Sequence, residues 1–254
     1  MAMSLAGRVA LVSGGGRGIG RAVSLALAAD GATVAVNYRR DEDAARATVD
    51  EIVAMGGTAG MYLATVAEYE RVDAMVQMIE SDFGPISILV NNAGIASRGL
   101  SVVDTDPKEL IRVVSTHAFG SHNLCKRVIP NMRGLPRGDI VMISSIATRT
   151  LSANGGPYNM AKAALEALAV TLSREEREHG IRVNTVAPGL VETEMGRRLM
   201  KATAGITDMR DLDARMPFGK VCQPEDVARV VRFLVSESNI YITGERLYCD
   251  GGIT

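Results

Sequence analysis

The run Ser13-Gly14-Gly15-Gly16-Arg17-Gly18-Ile19-Gly20 limits the possible folds of this chain more than any other stretch. It follows Val9-Ala10-Leu11-Val12, a short apolar run suited to a strand buried on both faces. It precedes an amphipathic stretch, Arg21 to Ala29, which Gly31 closes as a helix. Thr33-Val34-Ala35-Val36-Asn37 then reads as a second strand. Strand, glycine turn, helix and strand form a βαβ unit with a right-handed crossover. Glycines Gly14, Gly18 and Gly20 let the backbone approach a pyrophosphate, which the free N–H groups and dipole of the helix N-terminus then bind. Glycines also serve ordinary turns, and the position between strand and helix is what favours the binding reading.

The same alternation continues along the chain. Helical spacing covers Asp43 to Ala54 and Arg71 to Phe83, with strands at Met61-Ala64 and Ile88-Val90. Asn91-Asn92-Ala93-Gly94 follows the fourth strand, at the edge where open parallel sheets bind ligands. Pro107 to Met132 reads as one long helix, Asp139 to Ile143 as the fifth strand, Gly156 to His179 as a helix and Arg182 to Val186 as the sixth strand. Pro224 to Val235 is a further helix, and Gly244 to Gly252 a final strand with its exit turn. The order predicts a Rossmann-type α/β fold, a doubly wound parallel sheet forming a single domain over 1–254. Residues 194–216, polar and Met-rich, are expected to form a mobile lid.

Tyr158 and Lys162 stand four residues apart among strong helix formers, so they share one helical face. A free phenol titrates near pH ~10, and proton exchange near neutrality needs about 4 kcal/mol of extra phenolate stabilisation. An adjacent ammonium shifts the phenol in that direction. Ser145, just past the fifth strand, can orient a substrate oxygen while Tyr158 gives or takes its proton.

The end of the second strand bears on cofactor choice. An acid there would bind the adenosine ribose and repel a 2′-phosphate. This strand ends Asn37-Tyr38-Arg39-Arg40, and Arg39, Arg40 and Arg17 could instead pair with the phosphate, favouring NADPH. Asp41 follows the two arginines, beyond the strand.

Net charge is −1 at pH 7, so no global field draws in nucleic acid or anionic membrane. No apolar run approaches the ~20 residues of a membrane span. Met1 to Arg8 lacks a basic-then-apolar leader, which leads us to expect no signal peptide and a cytoplasmic location. Cys125, Cys222 and Cys249 are too few and too scattered for a disulfide framework, and His117, His122 and His179 lack metal-ligand spacing. No metal is expected.

Taken together, these motifs resemble the short-chain dehydrogenase/reductase family over the full length, closest in layout to 3-oxoacyl-[acyl-carrier-protein] reductases. The resemblance rests on Gly14/Gly18/Gly20, Asn91-Asn92-Ala93-Gly94, Ser145 with Tyr158-x-x-x-Lys162, Val183-Asn184 with Pro188-Gly189, and Asp250-Gly251-Gly252. It implies NADPH-dependent reduction of a ketone, with a 3-oxoacyl thioester as first substrate. A steroid, quinone or cyclic diketone is the alternative substrate, and a non-catalytic dinucleotide sensor the alternative function. It implies that Tyr158 is the acid/base, that Ser145 orients the carbonyl, and that Lys162 holds the nicotinamide ribose and lowers the tyrosine pKa. It places Val191 and Thr193 at the nicotinamide carboxamide, Ala93 and Gly94 along the cofactor groove, Asn91 at the adenosine ribose, and Ile19, Tyr38, Pro188 and Gly189 in the same lining. It further implies a homotetramer that pairs the helices Pro107–Met132 and Gly156–His179 between subunits.

The chain departs from that family's pattern in three places. His117 stands where an asparagine commonly holds a water next to the catalytic lysine, and an imidazole could relay a proton there. Thr65-Val66 replaces an adenine-binding aspartate. His179, among Glu175, Glu176 and Glu178, replaces a basic residue that docks acidic carrier proteins; Arg133 and Arg137 are the cations that could still attract one.

Overall fold

In the computed structural model, residues 4–254 are described; the leader expectation falls partly on residues 1–3, outside them. All seven strands join one parallel sheet, in the order β3-β2-β1-β4-β5-β6-β7. Their ranges are β1 Val9–Val12, β2 Thr33–Tyr38, β3 Ala59–Leu63, β4 Ile86–Asn91, β5 Gly138–Ile143, β6 Ile181–Pro188 and β7 Arg246–Cys249. The order reverses between β1 and β4, the switch point at which such sheets open a ligand crevice.

Alternating strand residues face two separate cores. Leu11, Leu89, Ile140, Met142 and Val183 pack on one side, against helices α3 (Tyr69–Phe83), α5 (Gly120–Met132) and α7 (Gly156–Glu176). Ala10, Val12, Val34, Ile88, Val141 and Val186 pack on the other, against α1 (Gly18–Ala29), α2 (Glu42–Ala54) and α9 (Pro224–Val235). Burial on both faces explains why these strands are continuous apolar runs. Each buried Val, Leu or Ile contributes about 1.5–3 kcal/mol.

Several boundaries differ from expectation. β3 begins at Ala59 rather than Met61, because Val34 and Ala35 pair with Ala59 and Gly60. Pairing to a buried strand extends it over residues that have little strand preference of their own. The long helix after β4 is not uniform. α4 (Pro107–Val114) passes into a π-helical turn, Ser115–Phe119, before α5 begins. The Thr116 hydroxyl donates to the Arg112 carbonyl at 2.9 Å, and that of Ser121 to the His117 carbonyl at 2.7 Å, so side chains bond the i−4 carbonyls at both ends of the turn. Such a bulge often marks a functional position, and His117 lies at its centre. A short helix that the sequence did not announce, α6 (Ala147–Thr150), follows Ser145.

Residues 194–216 contain α8 (Glu194–Ala204) and a 3₁₀ segment, Met209–Arg215. Met209 and Leu212 are buried with Val221, backed by Met200, Ile206 and Met216, while Met195, Leu199 and Phe218 stay exposed. No helix among the described residues is long and apolar enough to cross a membrane.

Candidate active site

The ends of β1, β4, β5 and β6 bring the expected site residues to one edge of the sheet. At β1, Gly14 and Gly18 both adopt positive φ, at +62° and +53°. A Cβ on Gly20 would overlap the Gly14 carbonyl, so backbone packs on backbone there. No side chain caps the start of α1, which leaves its first-turn N–H groups to an anion.

A network that sequence reasoning missed holds this turn in place. Asn92 Nδ2 donates to the carbonyls of Ser13 and Gly14, at 2.9 and 3.1 Å. Ser13 Oγ accepts from the backbone of Asn92 and Ala93, at 2.9 and 3.0 Å. Asn37 Oδ1 accepts from Gly14 N at 3.3 Å, and its amide reaches the carbonyls of Tyr62 and Ala64. The available signal was a hydroxyl and two amides at three strand ends, each offering donors or acceptors that a turn leaves over.

Asn91, expected at the adenosine ribose, ends β4. Its side chain is buried and donates to Cys125 Sγ at 3.6 Å, on the α5 side of the sheet. The alternation of β4 turns the side chain into the core, which leaves its backbone at the strand end. Arg17, expected at the 2′-phosphate, forms exposed ion pairs with Glu194 of α8 at 3.0 Å and with Asp41 at 3.6 Å. Asp41 is the N-cap of α2, accepting from Ala44 N at 3.2 Å, which explains an acid just past the strand. Arg39 and Arg40 are exposed and form no ion pair among the described residues, and Arg39 sits in the positive field of Arg40, Arg112 and Arg17. Ile19 and Tyr38 are half-buried against the core.

At the other strand ends, Val191 is buried in a bridge to Cys222, and Thr193 caps α8 by accepting from Gly196 N at 3.0 Å. A Cβ on Gly18 would lie 3.2 Å from the Thr193 methyl, so the glycine turn and the start of α8 face each other. Pro188 closes β6, and Gly189 packs against Asp250. The uncapped helix start, the Cβ-free turn and the unpaired arginines fit a dinucleotide with an anionic adenosine end.

Ser145, Tyr158, Lys162 and His117 converge beside this groove. Lys162 Nζ is buried and donates to the Ile143 carbonyl at 2.6 Å. It lies 5.7 Å from the Tyr158 ring centroid. Burial pulls the Lys162 ammonium down to about 7, opposed by the charge of Glu166. Burial of the Tyr158 hydroxyl pushes the phenol up, and it is a hydrogen bond from Ser145 that opposes this.

His117 is almost wholly buried and fills the space beside Gly94, where any Cβ would overlap its ring. Its Nε2 lies 2.8 Å from the Ile95 carbonyl and 3.1 Å from the Ile95 amide, and Nδ1 is a buried atom without a partner. Burial, then the charge of Lys162, pushes the imidazole down to about 3, so it is neutral at physiological pH.

The sequence model of a family described as enoyl-(acyl carrier protein) reductase matches residues 14–254. The chain belongs to the short-chain dehydrogenase/reductase family. The 3-oxoacyl-[acyl-carrier-protein] reductase FabG of Staphylococcus epidermidis is 35% identical over 245 residues, covering 96% of this chain and 98% of the relative. The 3-oxoacyl-[acyl-carrier-protein] reductase of Synechocystis is 35% identical over 251 residues, with 98% of each chain covered. A short-chain type dehydrogenase/reductase from Mycobacterium marinum superposes with a TM-score of 0.90 at 30% identity, covering all of this chain and 98% of that one. As a short-chain dehydrogenase/reductase, the protein is an oxidoreductase of the CH–OH/C=O class that uses a nicotinamide dinucleotide.

Proposed function

We propose that this protein reduces the ketone of a 3-oxoacyl thioester to a secondary alcohol with NADPH. The observation that carries the reading is the convergence of Ser145, Tyr158 and Lys162 beside the glycine turn. The bound nicotinamide supplies the hydride. Gly14, Gly18, Gly20, Ala93, Gly94, Pro188, Gly189, Val191 and Thr193 line its groove, with Ile19 and Tyr38 behind them. Arg39 and Arg40, as unpaired cations, are assigned to the 2′-phosphate. Ser145 orients the substrate carbonyl oxygen, and Tyr158 delivers a proton to that oxygen as negative charge develops. Lys162, at the ribose, replenishes the tyrosine proton.

His117 is assigned the next place in this proton path. Ile95 presents a carbonyl and an amide to the same ring nitrogen. Either neutral tautomer therefore keeps a backbone partner, and Nδ1 can act as donor or acceptor. A ring that changes tautomer at little cost suits a relay better than a ring locked by one bond.

Residues 194–216 form the substrate lid, where exposed Met195 and Leu199 suit an apolar chain. Arg133 holds buried Glu176 through two bonds of 2.8 and 2.7 Å, and Arg137 is paired with Asp139. Neither arginine is free to attract an acidic carrier protein, so the substrate reading covers a coenzyme A thioester as well as a carrier-bound one. Exposed Ile111, Phe119, Met160 and Val170 lie on the helices assigned to a tetramer contact. The deciding experiment follows NADPH absorbance with acetoacetyl-CoA, a carrier-bound 3-oxoacyl chain, and steroid, quinone and cyclic diketone substrates. Turnover confined to the last three would overturn the thioester assignment, and binding of NADPH without turnover of any would favour a sensor.

A further inference from the structure

Glu166 lies one helical turn beyond Lys162 in α7 and is buried. Both of its oxygens are used. Oε1 accepts from Ser144 Oγ at 2.6 Å and Thr148 Oγ1 at 2.9 Å, and Oε2 pairs with Arg246 Nη1 of β7 at 2.5 Å. Ser144 directly precedes Ser145, and its backbone N–H is tied to Val186 of β6 at 2.7 Å. Thr148 Oγ1 also lies 3.0 Å from the Ser145 carbonyl, so one carboxylate grips the chain on both sides of Ser145. The Lys162 ammonium meets the Ile143 carbonyl from β5, Tyr158 and Glu166 from its own helix, and neutral His117 from the π turn. Glu166 is the anion in that set, with Arg246 behind it.

We propose that Glu166 is a positioning residue for the reduction: it fixes Ser145 through Ser144 and Thr148 and sets its negative charge one helical turn from the Lys162 ammonium. The proposal rests on the assignment of Ser145 and Lys162 made above. The carboxylate couples two groups that must act on one substrate oxygen: the hydroxyl that orients it and the cation that supports its proton donor. Arg246 limits the effect, because it draws the same carboxylate outward to β7. The two sides of the ion pair therefore act on the lysine in opposite directions.

The test reads the lysine directly and does not depend on turnover. Protein labelled with ¹³C at lysine Cε is titrated by NMR, with the Lys162 signal assigned by its loss in Lys162→Met. Glu166→Gln keeps the shape and the acceptor but removes the charge. It is expected to move the Lys162 midpoint down by about one pH unit, and Arg246→Met to leave it unchanged or raise it. In parallel, the pH profile of kcat/KM for acetoacetyl-CoA is expected to move with the lysine in Glu166→Gln. Ser144→Ala, which keeps the charge, should lower kcat roughly tenfold without moving the midpoint. A Lys162 midpoint that stays fixed in Glu166→Gln, or that moves the same way in both ion-pair variants, overturns the proposal. If Glu166→Gln fails to fold, a Lys162 midpoint that falls in Arg246→Met, or a Ser144→Ala kcat equal to wild type, overturns the proposal. Wild-type protein that turns over no ketone would defeat the functional assignment, while the NMR midpoints would judge the electrostatic role separately.

Discussion

The His117 imidazole meets the Tyr158 ring edge-on, with centroids 5.3 Å apart and planes at 86°. An aromatic pair in this geometry holds both rings in position. It also places the residue that departs from the family's usual asparagine directly against the proposed acid. Asparagine can hold a water there but cannot change tautomer. We expect His117→Asn to keep reductase activity within about tenfold, and His117→Leu to lose roughly 10²-fold or more in kcat. Equal activity in His117→Leu and the wild type would remove the relay.

Replacing Tyr158 with Phe is expected to lower kcat by roughly 10²–10⁴-fold while leaving NADPH affinity within about twofold. Steady-state rates and fluorescence of bound NADPH separate the two effects. Substantial turnover in Tyr158→Phe would require another proton donor.

His117 also predicts acid sensitivity. Its pKa is near 6.5 in the unfolded chain and about 3 when folded. Between these values the unfolded chain binds the additional proton, so stability falls as pH drops from 6.5 towards 3. The slope is about 1.4 kcal/mol per pH unit from this one group, and none of it is lost above 6.5. Denaturant titrations of wild type and His117→Asn should diverge through this range, the variant losing less stability. Parallel curves would show that the imidazole is not held neutral.

Gly94→Ala should be poorly tolerated, because the new methyl would overlap His117. A loss of about 1–3 kcal/mol is expected, measured by chemical denaturation. The pair Gly94→Ala with His117→Asn should recover part of it, since the smaller side chain vacates the space. Failure of the double variant to recover would place the strain elsewhere.

Removing the charge of Arg39 in Arg39→Ala should weaken NADPH by roughly 10–100-fold and leave NADH within about twofold. Binding titrations with both nucleotides check it, and an unchanged preference would end the 2′-phosphate assignment.

Legible in the residues alone were the alternation of the main strands and helices, the glycine turn, and the shared helical face of Tyr158 and Lys162. Those features are local: buried strands must be apolar on both faces, a close backbone approach needs glycine, and residues four apart on a helix share a face. Only the tertiary structure decided the partners. It turned Asn91 inward to Cys125, paired Arg17 with Glu194, and made Asp41 a helix cap. It also buried the Tyr158 hydroxyl, which pushes the phenol up against a hydrogen bond from Ser145, and turned the Lys162 ammonium to the Ile143 carbonyl. The gap at Gly94, the two faces of Ile95 and the carboxylate of Glu166 come together from distant parts of the chain. Hydrogen-bond choice and desolvation depend on what surrounds a group in space, and its neighbours in sequence do not specify that.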